Sequence, residues 1–211
     1  MSSGPYRAGR ADRPAATVRS VTSTNHAQAM FDDLSTHFRR VLEGACGAHA
    51  DTFEARVCDA LREAAPLVDL LPANVLDGCA ERYARHLLAS DASGRFAAAA
   101  LIWRPGQVTP VHGHHTWCGY RVVKGALTEE WFSARGTDGR ASYIGTRMRP
   151  AGAASFVGPA SDGIHRLANR GTTVAVSIHV YGVHADALAS RVNRLVDLDD
   201  PVLSATAAEA E

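Results

Sequence analysis

The stretch 106–125, GQVTPVHGHHTWCGYRVVKG, decides the fold, because it sets two histidines, His112 and His114, two residues apart within strand-like sequence. Successive side chains of a strand point to opposite faces, so His112 and His114 share a face and can grip one metal ion, while His115 points the other way. An unpartnered imidazole is costly to bury, so the pair by itself reads as surface or core histidines of an edge strand, and a shared ion needs a third ligand. The period of two continues downstream. In TTVAVSIHVYG (172–182), Thr173, Ala175, Ser177, His179 and Tyr181 alternate with Val174, Val176, Ile178 and Val180. One face of that strand is apolar and meets an outer layer. The other carries a hydroxyl, an imidazole and a phenol at two-residue steps, able to form a relay in the metal's interior with His179 bridging Ser177 and Tyr181.

Further strands are expected at 83–88, 96–103, 119–125, 127–133, 141–145, 153–157 and 165–169, separated by turns such as SDASG, GTDG, RPAG and NRGT. Short strands with frequent glycine and proline turns predict a small antiparallel barrel or sandwich. Before them, Phe31, Leu34, Phe38, Val41 and Leu42 recur at three- and four-residue steps, predicting a helix from about 27 that breaks at the glycines of 44–47. Asp51 with Glu54 reads as a capping box opening a second helix with apolar face Phe53, Val57 and Leu61, and a third helix is expected over about 73–81. The chain thus divides into a disordered segment (1–24), a helical part of the same domain (25–82), a β-barrel (83–198) and a flexible tail (199–211).

Lys+Arg and Asp+Glu balance at 22 each, which gives no broad electrostatic footprint for nucleic acid or an anionic membrane. A small-molecule partner is expected. Cys46, Cys58, Cys79 and Cys118 form no CxxC pair, which excludes a zinc knuckle or thioredoxin motif and suits a reducing compartment. No apolar run approaches the roughly 18 residues of a membrane span, and MSSGPYRAGRADRPAATVRS lacks the apolar core of a signal peptide, so a cytoplasmic protein is expected.

The order G-x5-H-x-H at Gly106, His112 and His114, with Gly125 eleven residues after the second histidine, resembles the first cupin motif; Gly163-Ile164-His165 with Asn169 resembles the end of the second. That resemblance implies a mainly β, cupin-type small antiparallel barrel (jelly-roll-like) with N-terminal helices packed on one side. It also implies that His112, His114 and His165 hold a metal. Most metal cupins have a Glu seven residues before the closing Gly, and Cys118 stands there instead. Three neutral imidazoles without a carboxylate leave the charge of Fe(II) undiminished, which favours an anionic thiolate. Together with the row Ser177, His179 and Tyr181, the chain from about Tyr83 to Tyr181 resembles the thiol dioxygenases, specifically cysteine dioxygenase type I. This resemblance implies one Fe(II) per chain, Tyr181, His179, Ser177 and Cys118 as catalytic groups, and addition of both atoms of O2 to the sulfur of L-cysteine, giving cysteine sulfinate. Some members join a Cys at the position of Cys118 to the Tyr through a thioether; without it, Cys118 is a small buried hydrophobe.

Tyr83-Ala84-Arg85, followed by Phe96 and Trp103, is similar to the family's Tyr-x-Arg element. Its arginine can take the substrate carboxylate in two parallel charge-assisted bonds, and Tyr83 and Arg85 share a strand face. The alternative for Arg85 is a solvated basic set with Arg82 and His86 on a helix end. Arg191, ten residues beyond Tyr181, is a rival clamp, and Trp117 a further candidate substrate contact. Relatives acting on 3-mercaptopropionate often carry Trp at that place, so 3-mercaptopropionate and mercaptosuccinate stand as alternative substrates. A non-catalytic metal-binding cupin is the alternative from a different class.

Overall fold

The computed structural model describes residues 21–135, 139–159 and 163–199. Residues 1–20 of the segment expected to be disordered, 136–138 of the GTDG turn and 200–211 of the expected tail lie outside the described residues. Helix α1 (Val21–Cys46) starts earlier than its apolar stripe, and α2 (Ala50–Glu63) folds back on it. The N-cap of α2 is His49 rather than Asp51, with no side-chain cap. Asp51 lies instead in the first turn, where a carboxylate faces the positive end of the helix dipole. The third expected helix is also shorter. A 3-10 segment (Ala65–Leu70) leads to one turn, α3 (Ala73–Leu76), which stops as Gly78 takes a positive φ of 65°.

Strands follow in the order β1 (Ala84–Ser90), β2 (Ala97–Trp103), β3 (His112–His114), β4 (Cys118–Lys124), β5 (Ala126–Arg135), β6 (Arg140–Pro150), β7 (Ala154–Val157), β8 (Ile164–Ala168), β9 (Ala175–Tyr181) and β10 (Asn193–Leu195). They form two five-stranded sheets, β1-β2-β9-β4-β7 and β10-β3-β8-β5-β6, with these neighbours paired antiparallel. Arg85 is therefore on a strand, not a helix end. The fold is cupin-like, but its two sheets face each other without closing into the barrel expected. Two of the four end strands, β7 and β10, are only 4 and 3 residues long.

The first sheet is buried on both sides. Outward, Ala98, Ala100, Ile102, Val176, Ile178 and Val180 meet Phe38, Leu42, Val57 and Leu61 of the helices in one continuous core. Each large side chain so buried contributes about 1.5–3 kcal/mol of hydrophobic free energy. Inward, Leu101, Trp103, Tyr120 and Val122 join Leu127 and Leu167 of the second sheet. Strand β2 lies between helices and interior along its whole length, and so its sequence AAAALIW shows no polar alternation. Helix α2 comes so close to β4 that a Cβ on Gly119 would lie 2.9 Å from Val57 Cγ1. Among the described residues no helix is long and apolar enough to cross a membrane.

Candidate metal centre

Strand β3 pairs with β8 so that His112 stands opposite His165, and His114 follows two residues on, on the same face. The three rings converge with centroids 4.7–5.1 Å apart, each residue buried, and their ligand atoms lie within 4.8 Å of one another. His112 Nδ1 meets the Pro110 carbonyl at 2.9 Å, and His165 Nδ1 meets Glu129 Oε1 at 2.8 Å, which in both rings leaves Nε2 as the free nitrogen. Burial, then the proximity of the neighbouring histidines, holds His112 well below its ordinary pKa and His114 at about 3. Inward-facing ring nitrogens, one of them the buried and unpartnered His165 Nε2, fit a divalent transition-metal ion.

No carboxylate is expected among the ligands themselves, and the structure places one directly behind them. Glu129 accepts the His165 Nδ1–H, and its other oxygen is 3.2 Å from Arg149 Nε. That Nε–H donates to the Tyr120 hydroxyl at 3.0 Å. Burial pushes the Glu129 carboxyl up, but His165, Arg149 and Tyr120 together outweigh it and hold the group ionised. A signal for it exists in LTEEWFS: Glu129 shares the strand face of buried Leu127, whereas Thr128 and Glu130 alternate to the other side.

The polar row of β9 forms the relay expected of it. Trp103 Nε1–H, a donor only, gives its hydrogen to Ser177 Oγ at 2.9 Å; Ser177 Oγ lies 2.9 Å from His179 Nε2, and His179 Nδ1 lies 3.2 Å from the Tyr181 hydroxyl. Burial keeps His179 neutral, so one ring nitrogen accepts and the other donates. No second acceptor meets the Ser177 hydroxyl among the described residues, so its hydrogen goes to Nε2 and His179 donates from Nδ1 to Tyr181. The Tyr181 hydrogen is then left for the cavity, and burial raises the phenol's pKa so that it keeps that hydrogen. Cys118 is the direct cross-strand partner of Tyr181, and burial likewise raises its thiol pKa.

Tyr83, Arg85, Cys118, His179, Tyr181 and the three histidines all line one nearly closed cavity. Its free central volume is about 10 Å³, no more than a single water needs. Tyr83 stacks on Trp103 with centroids 4.6 Å apart and accepts from Arg85 Nη2 at 3.1 Å. Arg85 Nε is buried with no partner. Tyr83 and Arg85 also border an outer hollow of about 720 Å³ with Arg82, Val108 and Pro110, so they stand between solvent and the histidines.

Two sequence candidates are not brought to this cavity. Trp117 alternates with inward Cys118, points to the helices and packs on Phe53 (5.0 Å, edge-on) and Phe156 (6.1 Å, stacked). Arg191 is exposed beyond the 3-10 turn Ala185–Ala187 and lines a separate surface hollow with His115, Thr116 and His184. Asn169 has a tying role: its amide donates to the Trp103 and Thr173 carbonyls and accepts from Gly171 N–H, joining the ends of β2 and β8 to the turn before β9.

Among solved structures, the chain is similar to the TT1209 protein from Thermus thermophilus, at 16% identity and TM-score 0.40, over 54% of this chain and 95% of that one. It is also similar to a conserved protein with a double-stranded beta-helix domain from Klebsiella pneumoniae, at 15% identity and TM-score 0.39, over 52% and 88%. A cupin-superfamily sugar phosphate isomerase from Silicibacter pomeroyi matches at 19% identity and TM-score 0.34, over 42% and 50%. A family model for cysteine dioxygenase type I matches residues 74–189, a span that contains the three histidines, the relay and Arg85. That match and the histidine cluster support a metal-dependent oxidoreductase of dioxygenase type. Because it runs over more than half of the chain, this protein belongs to the cysteine dioxygenase type I family.

Proposed function

We propose that this protein is an iron(II)-dependent thiol dioxygenase whose substrate is L-cysteine and whose product is cysteine sulfinate. The observation that carries the reading is Arg85: a guanidinium with a buried, unpartnered Nε–H in the same cavity as three convergent histidines. A carboxylate on Arg85 takes that donor in a charge-assisted bond and aims the other end of a short substrate at the histidines. His112, His114 and His165 would hold the iron, which supplies the one-electron and O2 chemistry that side chains lack. Tyr181, with its hydrogen turned away from His179, donates to the bound thiol substrate or to oxygen. His179, Ser177 and Trp103 fix that direction, while Leu101, Trp103 and Leu167 keep bulk water out. Cys118 stands opposite Tyr181, and we assign the pair a thioether, formed with loss of two hydrogens to O2 as oxidant. The helices and sheets share one core, so 25–198 acts as one domain, and we assign the protein to the cytoplasm.

The test is oxygen consumption by the iron-loaded protein with cysteine, 3-mercaptopropionate and mercaptosuccinate in parallel, for wild type, Arg85→Gln and Arg191→Gln. Cysteine is expected to be the best substrate, and Arg85→Gln to raise its KM or lower turnover far more than Arg191→Gln. A preference for another thiol carboxylate changes the substrate. No uptake with any thiol leaves a non-catalytic metal-binding cupin. Intact mass lower by two hydrogens, localised to the Cys118 and Tyr181 peptides, is expected for the thioether.

A further inference from the structure

Two of the three histidines rest their second ring nitrogen on an acceptor, His112 on the Pro110 carbonyl and His165 on Glu129. His114 does not. Its Nδ1 is buried with no partner, and the amide oxygen of Asn193 is in the same state. These two orphaned atoms are neighbours in the sheet: Asn193 and His114 are direct partners in the β10–β3 register, and both line the cavity. Directly opposed residues of an antiparallel pair have Cβ atoms about 4.5–5.5 Å apart, so one change of side-chain rotamer suffices to join them. Their chemistry is complementary, a ring N–H that can donate and an amide oxygen that can accept. A buried polar atom left unpaired is destabilising, so closing the bond relieves both residues at once.

From this geometry we infer that Asn193 is the positioning residue for His114: its side-chain oxygen accepts the Nδ1–H and so presents Nε2 to the metal. The inference rests on the three-histidine metal reading and deepens it. A ligand imidazole whose other N–H is held by an acceptor is fixed in tautomer and orientation and is a better base. Pro110 and Glu129 do this for two rings, and Asn193 completes the set. Neither periodicity nor motif marks Asn193, because it sits on a strand of three residues.

The experiment is an anaerobic competition titration of Fe(II), repeated with Co(II), on wild type, Asn193→Ala, Asn193→Asp and His112→Ala, with steady-state KM for cysteine alongside. Asn193→Ala is expected to bind metal about 10–100-fold more weakly, the usual loss when such a supporting group is removed. Asn193→Asp, which keeps an acceptor at the same place, is expected to recover most of that loss, a rescue that a merely structural role would not give. Wild-type metal affinity in Asn193→Ala overturns the inference, and with a raised KM it makes Asn193 a substrate contact instead. Equal affinity of Asn193→Ala and Asn193→Asp, both weakened, also overturns it. Metal binding by His112→Ala as tight as wild type would sink the three-histidine reading itself, a failure distinct from the others.

Discussion

Replacing Glu129 with alanine acts on two things at once, and the structure allows them to be separated. The side chains of Glu129 and Arg149 are 2% and 11% exposed, with 3.2 Å between charged atoms. Removing one member of such a pair strands the other as a buried charge, a loss of about 3–5 kcal/mol in unfolding free energy. The same substitution takes the acceptor from His165 Nδ1, 2.8 Å away, for which the expected loss is about 10–100-fold in metal affinity. Urea denaturation of the metal-free protein reads the first effect, and anaerobic Fe(II) competition the second. The double variant Glu129→Leu, Arg149→Met replaces both charges with apolar groups and should regain most of the stability. Its metal affinity should remain low, because His165 still lacks its partner. Wild-type metal affinity in the double variant would refute a role for Glu129 at the metal, and a single-variant loss below about 1 kcal/mol would refute the buried pair.

Two further outcomes follow from the packing around the cavity. His179 is held neutral with a pKa well below 6.5, so the unfolded chain binds a proton below pH 6.5 that the folded chain refuses, and stability falls with acidity by about 1.4 kcal/mol per pH unit from this residue. His179→Gln should remove one proton from that slope in denaturation measured between pH 6.5 and 5; an unchanged slope would contradict a buried neutral imidazole. Gly119→Ala should cost about 1–3 kcal/mol through contact with Val57, and adding Val57→Ala should recover part of it. Strictly additive losses in the pair would show that α2 does not rest on Gly119.

How legible the site was in the sequence depended on whether its residues obeyed the period of two. His112 with His114, and Ser177 with His179 and Tyr181, repeat at that spacing on strands, and the structure gathers them in one interior. Trp117 breaks the pattern by one residue and faces the helices; its neighbourhood in sequence to the histidines hid its opposite direction. Glu129 was readable from its shared face with Leu127, but it sits in a charged run that resembles a solvated face. Arg191 was close in sequence to Tyr181, and the turn at Ala185–Ala187 carries it away. Asn193 owes its place entirely to tertiary pairing of a three-residue strand, which no local pattern encodes. The α2 capping box failed for a comparable reason, since packing of α2 on α1 and the sheet extends the helix past the local signal.

Strand β2 gives this molecule an unusual division of labour. Ala97, Ala99, Leu101 and Trp103 stand opposite Tyr181, His179, Ser177 and Ala175, while Ala98, Ala100 and Ile102 hold the helices. Its consecutive positions therefore sort by parity. A substitution at an odd-numbered site presses on the interior between the sheets, where Leu101 and Trp103 line the cavity, and leaves the helical layer in register. One at an even-numbered site does the reverse. Because its first four residues, Ala97 to Ala100, are all alanine, both rooms are sized by what is missing, and each can be narrowed one methyl group at a time. A lineage, or a protein engineer, can thus retune reactivity and resilience from the same strand without trading one against the other.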